Sequence, residues 1–131
     1  MSEQKILEIN LRKIIESTKL LSADYEVQLT ILAEFVNITD ELGLIFEDAM
    51  IYCDRIFKFG LINEEQYERL QNLNLRLDQI ECWNIDALKK GTEWKLIREC
   101  AKKTLQSLGD IQNKTPNLFW LDFIEDKTKL E

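Results

Sequence analysis

TDELGLIFEDAMIYCDRIFKFG, residues Thr39 to Gly60, is the stretch that decides the fold. Its apolar residues Leu42, Ile45, Phe46, Ala49, Tyr52, Cys53 and Ile56 recur at spacings of three and four, the period of a helix with one buried face. Thr39 or Asp40 starts that helix, and Gly60 suits a left-handed C-cap that stops it.

The same period extends in both directions. Toward the amino terminus, Leu7, Leu11, Ile14, Thr18 and Leu21 mark a helix from about Lys5 to Leu21. Ser22 or Asp24 then caps a helix running to about Asn37. Val27, Leu29, Ile31, Leu32, Phe35 and Val36 make it apolar over more than half its circumference, which predicts a central position buried on two sides. Toward the carboxyl terminus, Asn63 with Gln66 forms a capping-box pattern ahead of Leu70, Leu73, Leu77 and Ile80. Cys82 to Gly91 reads as a loop with one short turn opening at Asn84. Thr92 begins a helix lined by Trp94, Ile97, Ala101, Leu105 and Leu108, and Gly109 ends it. Leu118 to Ile124 is a continuous apolar run, either a sixth helix or an extended segment docked on the others.

Four glycines and one proline leave little material for many turns, which favours a few long helices. The fold class is therefore all-α: a compact bundle of five or six helices. The 131 residues, 45% hydrophobic and 31% charged, suit one domain, with residues 1–4 and 126–131 expected to fray. No apolar run has the length of a signal peptide core or a membrane span. Cys53, Cys82 and Cys100 lack C-x-x-C spacing and read as reduced thiols packed as small hydrophobes, which places the protein in the cytoplasm.

The net charge of -7 argues against nucleic-acid and membrane partners. Its distribution is more informative. Residues 21–54 hold eight acids and no lysine or arginine, which leaves 16 of the 24 acids against all 17 bases elsewhere. On the helix of residues 39–59, Leu44 and Ile51 fall among these acids and opposite the core face. An apolar pair ringed by charge is the pattern of a protein-binding site, while acids near a helix start also follow from the helix dipole alone. The candidate partner-binding residues are Glu34, Asp40, Glu41, Leu44, Glu47, Asp48 and Ile51.

Catalytic chemistry finds little support. Histidine is absent, and with it the usual general base and the commonest metal ligand. No glycine-rich phosphate loop is present. Glu64, Glu65 and Glu68 spell E-E-x-x-E, as in magnesium-dependent nucleotide pyrophosphohydrolases of the MazG type. The required second pair has only Asp78 and Glu81 as candidates, in reversed order on the same helix. Acids in a first helical turn need no such role. No catalytic residue, cofactor or metal is assigned. Trp94 lies on an apolar stripe and reads as core, whereas Trp120 suits packing or an interface.

Two stretches carry a family resemblance. FKFGLINEEQYERLQNLNLRLDQI, Phe57 to Ile80, and TEWKLIRECAKKTLQSLG, Thr92 to Gly109, resemble helical immunity proteins of bacterial contact-dependent growth inhibition systems. The resemblance implies a stoichiometric inhibitor that binds a toxin's nuclease domain by protein contact, without catalysis. Trp94 and Arg98 match its W-x-x-I/L-R pattern in structural positions. The cognate partner it implies is a basic toxin domain; a generic helical adaptor or oligomer subunit is the alternative, and a magnesium-dependent nucleotide pyrophosphohydrolase of the MazG type a further one.

Overall fold

The computed structural model describes residues 1–109 and 115–121. Every regular element among them is a helix: α1 (Glu3–Ser22), α2 (Tyr25–Ile31), α3 (Ile38–Ala49), α4 (Cys53–Phe59), α5 (Glu64–Asp78), α6 (Ile85–Lys90) and α7 (Thr92–Leu108). A single 3-10 turn, Met50–Tyr52, joins α3 to α4. Counted as one broken helix, that pair brings the bundle to six, in a single compact domain. None of the described helices is long and apolar enough to cross a membrane.

The centre of the bundle is α1, not α2. It packs against α7, α3 and α4, while α5 and α6 pack against α7. Every residue from Ile14 to Leu21 is buried, so the second half of α1 has no solvent face. Burial of its polar groups is tolerable only because each is bonded. The Ser17 hydroxyl donates to the Lys13 carbonyl at 2.7 Å, and Thr18 donates to Ile14 at 2.7 Å. Glu16 and Lys19, each about 3% exposed, are paired at 3.0 Å, and Arg12 reaches the same Glu16 oxygen at 3.0 Å. The second oxygen of Glu16 accepts the Asn117 backbone N–H at 2.8 Å. One buried carboxylate thus ties the central helix to a segment a hundred residues away.

The predicted second helix is shortened and displaced. It ends at Ile31, and the chain turns through Leu32 to Phe35. Val27 is half-exposed and Val36 fully exposed, so the expected burial on two sides fails. The physical reason lies at Asn37, which belongs to the next helix: in extended backbone, its side chain accepts from the Asp40 N–H and the Thr39 hydroxyl. A residue that caps α3 cannot also continue α2. What α2 contributes is Gln28, fully buried, whose amide donates to the Leu20 and Leu21 carbonyls at the end of α1.

Other expectations hold. Gly60 and Gly109 take positive φ after α4 and α7. Asn63 and Gln66 form the complete capping box of α5, and Asn84 caps α6 through the Ala87 N–H. Leu70, Leu73, Leu77 and Ile80 are buried. The helix of residues 39–59 is present but tightens at Met50–Tyr52. At the amino terminus Ser2 caps α1 through the Lys5 N–H, and Glu3 and Gln4 are helical. Residues 118–121 form a docked turn, with Leu118 buried; residues 122–124 and the tail at 126–131 lie outside the described residues. Cys53 packs as a small hydrophobe, where burial and then the nearby Asp54 push its thiol up to about 11. Cys100 is half-buried against the core, while Cys82 is exposed, which corrects the expectation for Cys82.

One contact joins three parts of the chain. The Trp83 ring lies over buried Gly43, in the middle of α3, so closely that a Cβ on Gly43 would sit 2.8 Å from it. Trp83 meets fully buried Trp94 edge-to-face at 5.3 Å, and the Trp94 indole N–H donates to the Cys82 carbonyl at 3.0 Å. Trp94 is therefore core, as its helical position predicts.

Two stability predictions follow from these contacts. Glu16→Ala is expected to cost about 3–5 kcal/mol in urea denaturation and to strip the Asn117 amide of exchange protection. Glu3→Ala, which removes only the exposed 2.7 Å pair with Arg55, should cost under about 1 kcal/mol. Similar losses from both would mean that the Glu16 cluster is not structural. Gly43→Ala is expected to destabilise by about 1–3 kcal/mol through overpacking, although alanine is the better helix former. Adding Trp83→Phe should relieve part of that loss, and a purely additive double variant would refute the ring contact as its cause.

Candidate functional site

Capping fixes which side of α3 faces outward. Asn37 sets the start of the helix, and Leu42, Ile45, Phe46 and Ala49 enter the core, so the residues between them are left outside. Asp40, Leu44, Glu47 and Ile51 follow one another at spacings of four, three and four and share one exposed stripe. Asp48 is exposed beside it, and Glu41 is half-buried at its edge. Glu34 is exposed but lies in the turn between α2 and α3, off the helix. The structure thus brings six of the seven candidate residues onto α3 and its following turn.

Leu44 is 49% exposed and Ile51 70% exposed, values that separate them sharply from fully buried Leu42 and Phe46. No described element covers either side chain. Along the sequence around them the charges are one-signed, since the first base after Leu21 is Arg55 in α4. Arg55 is directed toward Glu3 at 2.7 Å and lies 6.0 Å from the Tyr52 ring centre. Asp54, the last acid of the run, accepts a 2.5 Å hydrogen bond from the Tyr67 hydroxyl, which raises the tyrosine pKa. The Tyr67 ring stacks on Phe57 at 4.4 Å, so this acid braces α4 against α5.

The glutamates of the E-E-x-x-E pattern have a different setting. Glu64, Glu65 and Glu68 are exposed on the first turns of α5, and Glu65 pairs with Arg69 at 3.2 Å. Asp78 and Glu81 are exposed near the far end of the same helix. Among the described residues, no three acids or cysteines group closely enough to hold a metal ion. Arg98 is a structural residue: its guanidinium donates to the Leu88 carbonyl in α6, and burial lowers its pKa despite nearby Asp24 and Glu26. Trp120 is half-buried against the core, edge-to-face with Phe119 at 5.0 Å.

A second feature has no counterpart in the sequence pattern. A cleft of about 210 Å³ lies between α5 and α7, lined by cations from both helices. Its cations are far apart in sequence, and only helix packing brings them together.

No family model matches the chain, and neither the curated proteins nor the solved structures contain a match to it.

The exposure of the α3 stripe has a direct stability consequence. Leu44→Ser and Ile51→Ser should each change unfolding free energy by no more than about 0.5 kcal/mol. Leu42→Ala, one step round the helix, should cost about 2–5 kcal/mol. A core-sized loss at Leu44 or Ile51 would show that these side chains are enclosed and unavailable to a partner.

Proposed function

We propose that this chain is an immunity protein, a stoichiometric inhibitor whose acidic α3 face seats a basic toxin domain. The observation that carries the reading is the exposed Leu44–Ile51 pair among Asp40, Glu47 and Asp48, on a helix with no base of its own. Aliphatic anchors supply desolvated contact area once a partner covers them. The surrounding carboxylates set the sign of that partner and speed its approach.

A nuclease carries positive charge along its substrate channel, because it must hold a phosphate backbone. An acidic surface that blocks the channel protects a cell without any chemistry of its own. The likeness of residues 57–80 and 92–109 to helical immunity proteins supports this reading. The lack of histidine agrees with a role in binding. The inhibitor acts in the cytoplasm, where an incoming nuclease reaches its substrate.

The test begins with affinity capture of the tagged protein from its native cells and mass spectrometry of what remains bound. The expected result is one stoichiometric basic protein that harms cells when expressed alone. Against that partner, the Glu47→Lys, Asp48→Lys double variant should associate about tenfold more slowly at low salt, with a shallower salt dependence and an unchanged helical circular-dichroism signal. Unaltered association kinetics would remove α3 from the interface. Capture of a harmless partner, or self-association alone, would replace the immunity reading with that of an adaptor or oligomer subunit.

A further inference from the structure

Three cations, Arg69, Arg76 and Lys103, line the α5–α7 cleft against one acid, Glu99, in a protein whose net charge is -7. Helices α5 and α7 run antiparallel, and two contacts fix their register. The Gln66 side chain donates to the Ser107 carbonyl at 2.9 Å, and the Asn72 amide lies 4.0 Å from the Cys100 sulfur. That register sets Arg69 opposite Lys103 at one end of the cleft and Arg76 opposite Leu96 at the other. Asn72, with its amide group, and Cys100 lie between the two ends.

Each end has its own chemistry. Arg69 and Lys103 present two cations from facing helices, a forked donor beside a point charge. Arg69 already pairs with Glu65, but that pair is exposed and weak, and a guanidinium carries five donors. At the other end Leu96 is 49% exposed, an apolar surface beside the Arg76 charge. Arg69 and Arg76 are two helical turns apart, about 10 Å along the axis. The cleft therefore suits an elongated molecule with an anionic head and an apolar body.

Size and surroundings set the class of ligand. About 210 Å³ is on the scale of a small molecule. An extended polyanion would also have to pass Glu65, Glu68 and Asp78, exposed on α5, and Glu99, which lines the cleft itself. We infer that the α5–α7 cleft binds a small organic phosphate ester, its phosphate held between Arg69 and Lys103 and its apolar part lying toward Leu96. This site is separate from the α3 face, and its test does not depend on the immunity reading.

The probes are inorganic phosphate and phenyl phosphate, each titrated into the uniformly 15N-labelled protein at constant ionic strength and followed by amide chemical shifts. The expected result is saturable binding of both, with the largest shifts at Arg69, Asn72, Cys100 and Lys103, and tighter binding of phenyl phosphate. The Arg69→Gln, Lys103→Gln double variant, with both changes at exposed positions, should weaken both probes about tenfold or more. Leu96→Ala should weaken phenyl phosphate alone. Shifts spread over lysines outside the cleft, such as Lys5 and Lys58, or unchanged affinity in the double variant, would overturn the site. Equal affinity for the two probes would overturn the assignment of an organic ester.

Discussion

Complete burial of the second half of α1 is the constraint on which the rest of the structure depends. A helix enclosed on every side must satisfy its polar groups internally or through whatever covers it. Here both routes are used. Ser17 and Thr18 bond back to their own helix, and Glu16 is matched by Arg12 and Lys19 from adjacent turns. The remaining oxygen of Glu16 takes the Asn117 amide, and Gln28 closes the carbonyl end of the helix. The elements around α1 are therefore placed by hydrogen bonds as well as by apolar contact.

With its interior organised around α1, the bundle can leave one side of α3 without a structural duty. The acids of residues 21–54 stand in a stretch of sequence that holds no base, while cations gather in the cleft between α5 and α7. The base-free acidic run and the cation-lined cleft thus lie on different helices, although α5 and α7 carry acids as well. Such sorting costs little stability when the groups are exposed, since exposed charges interact weakly through water. It gives the molecule two surfaces of different character.

Helices α3, α5 and α7 were legible in the sequence because the determining signals are local: apolar period, capping residues and terminal glycines. The exposure of Leu44 and Ile51 followed from the same local geometry. The centrality of α1 was hidden by Glu16 and Lys19, whose charges make an enclosed helix look amphipathic; only their mutual pairing permits burial. The apolar Phe35 and Val36 extend the helical pattern beyond Ile31, where α2 ends because Asn37 is committed to α3 as its cap. Gly43 beneath Trp83, and Arg69 opposite Lys103, depend on contacts across the chain that no local pattern encodes. Glu34, which the longer second helix would carry, lies in the turn between α2 and α3 because α2 ends at Ile31.

The bond from Asn117 to Glu16 also bears on how the chain matures. The helix that ends up innermost is made well before the segment that completes its hydrogen bonding. As synthesis proceeds from the amino terminus, α1 must wait for α7 and then for residue 117 before its carboxylate is fully engaged. Until then Arg12 and Lys19, one turn either side, keep Glu16 compensated within a single helix. The nascent helix thus carries its own counter-charges, and these stay in place when the finished fold closes over it.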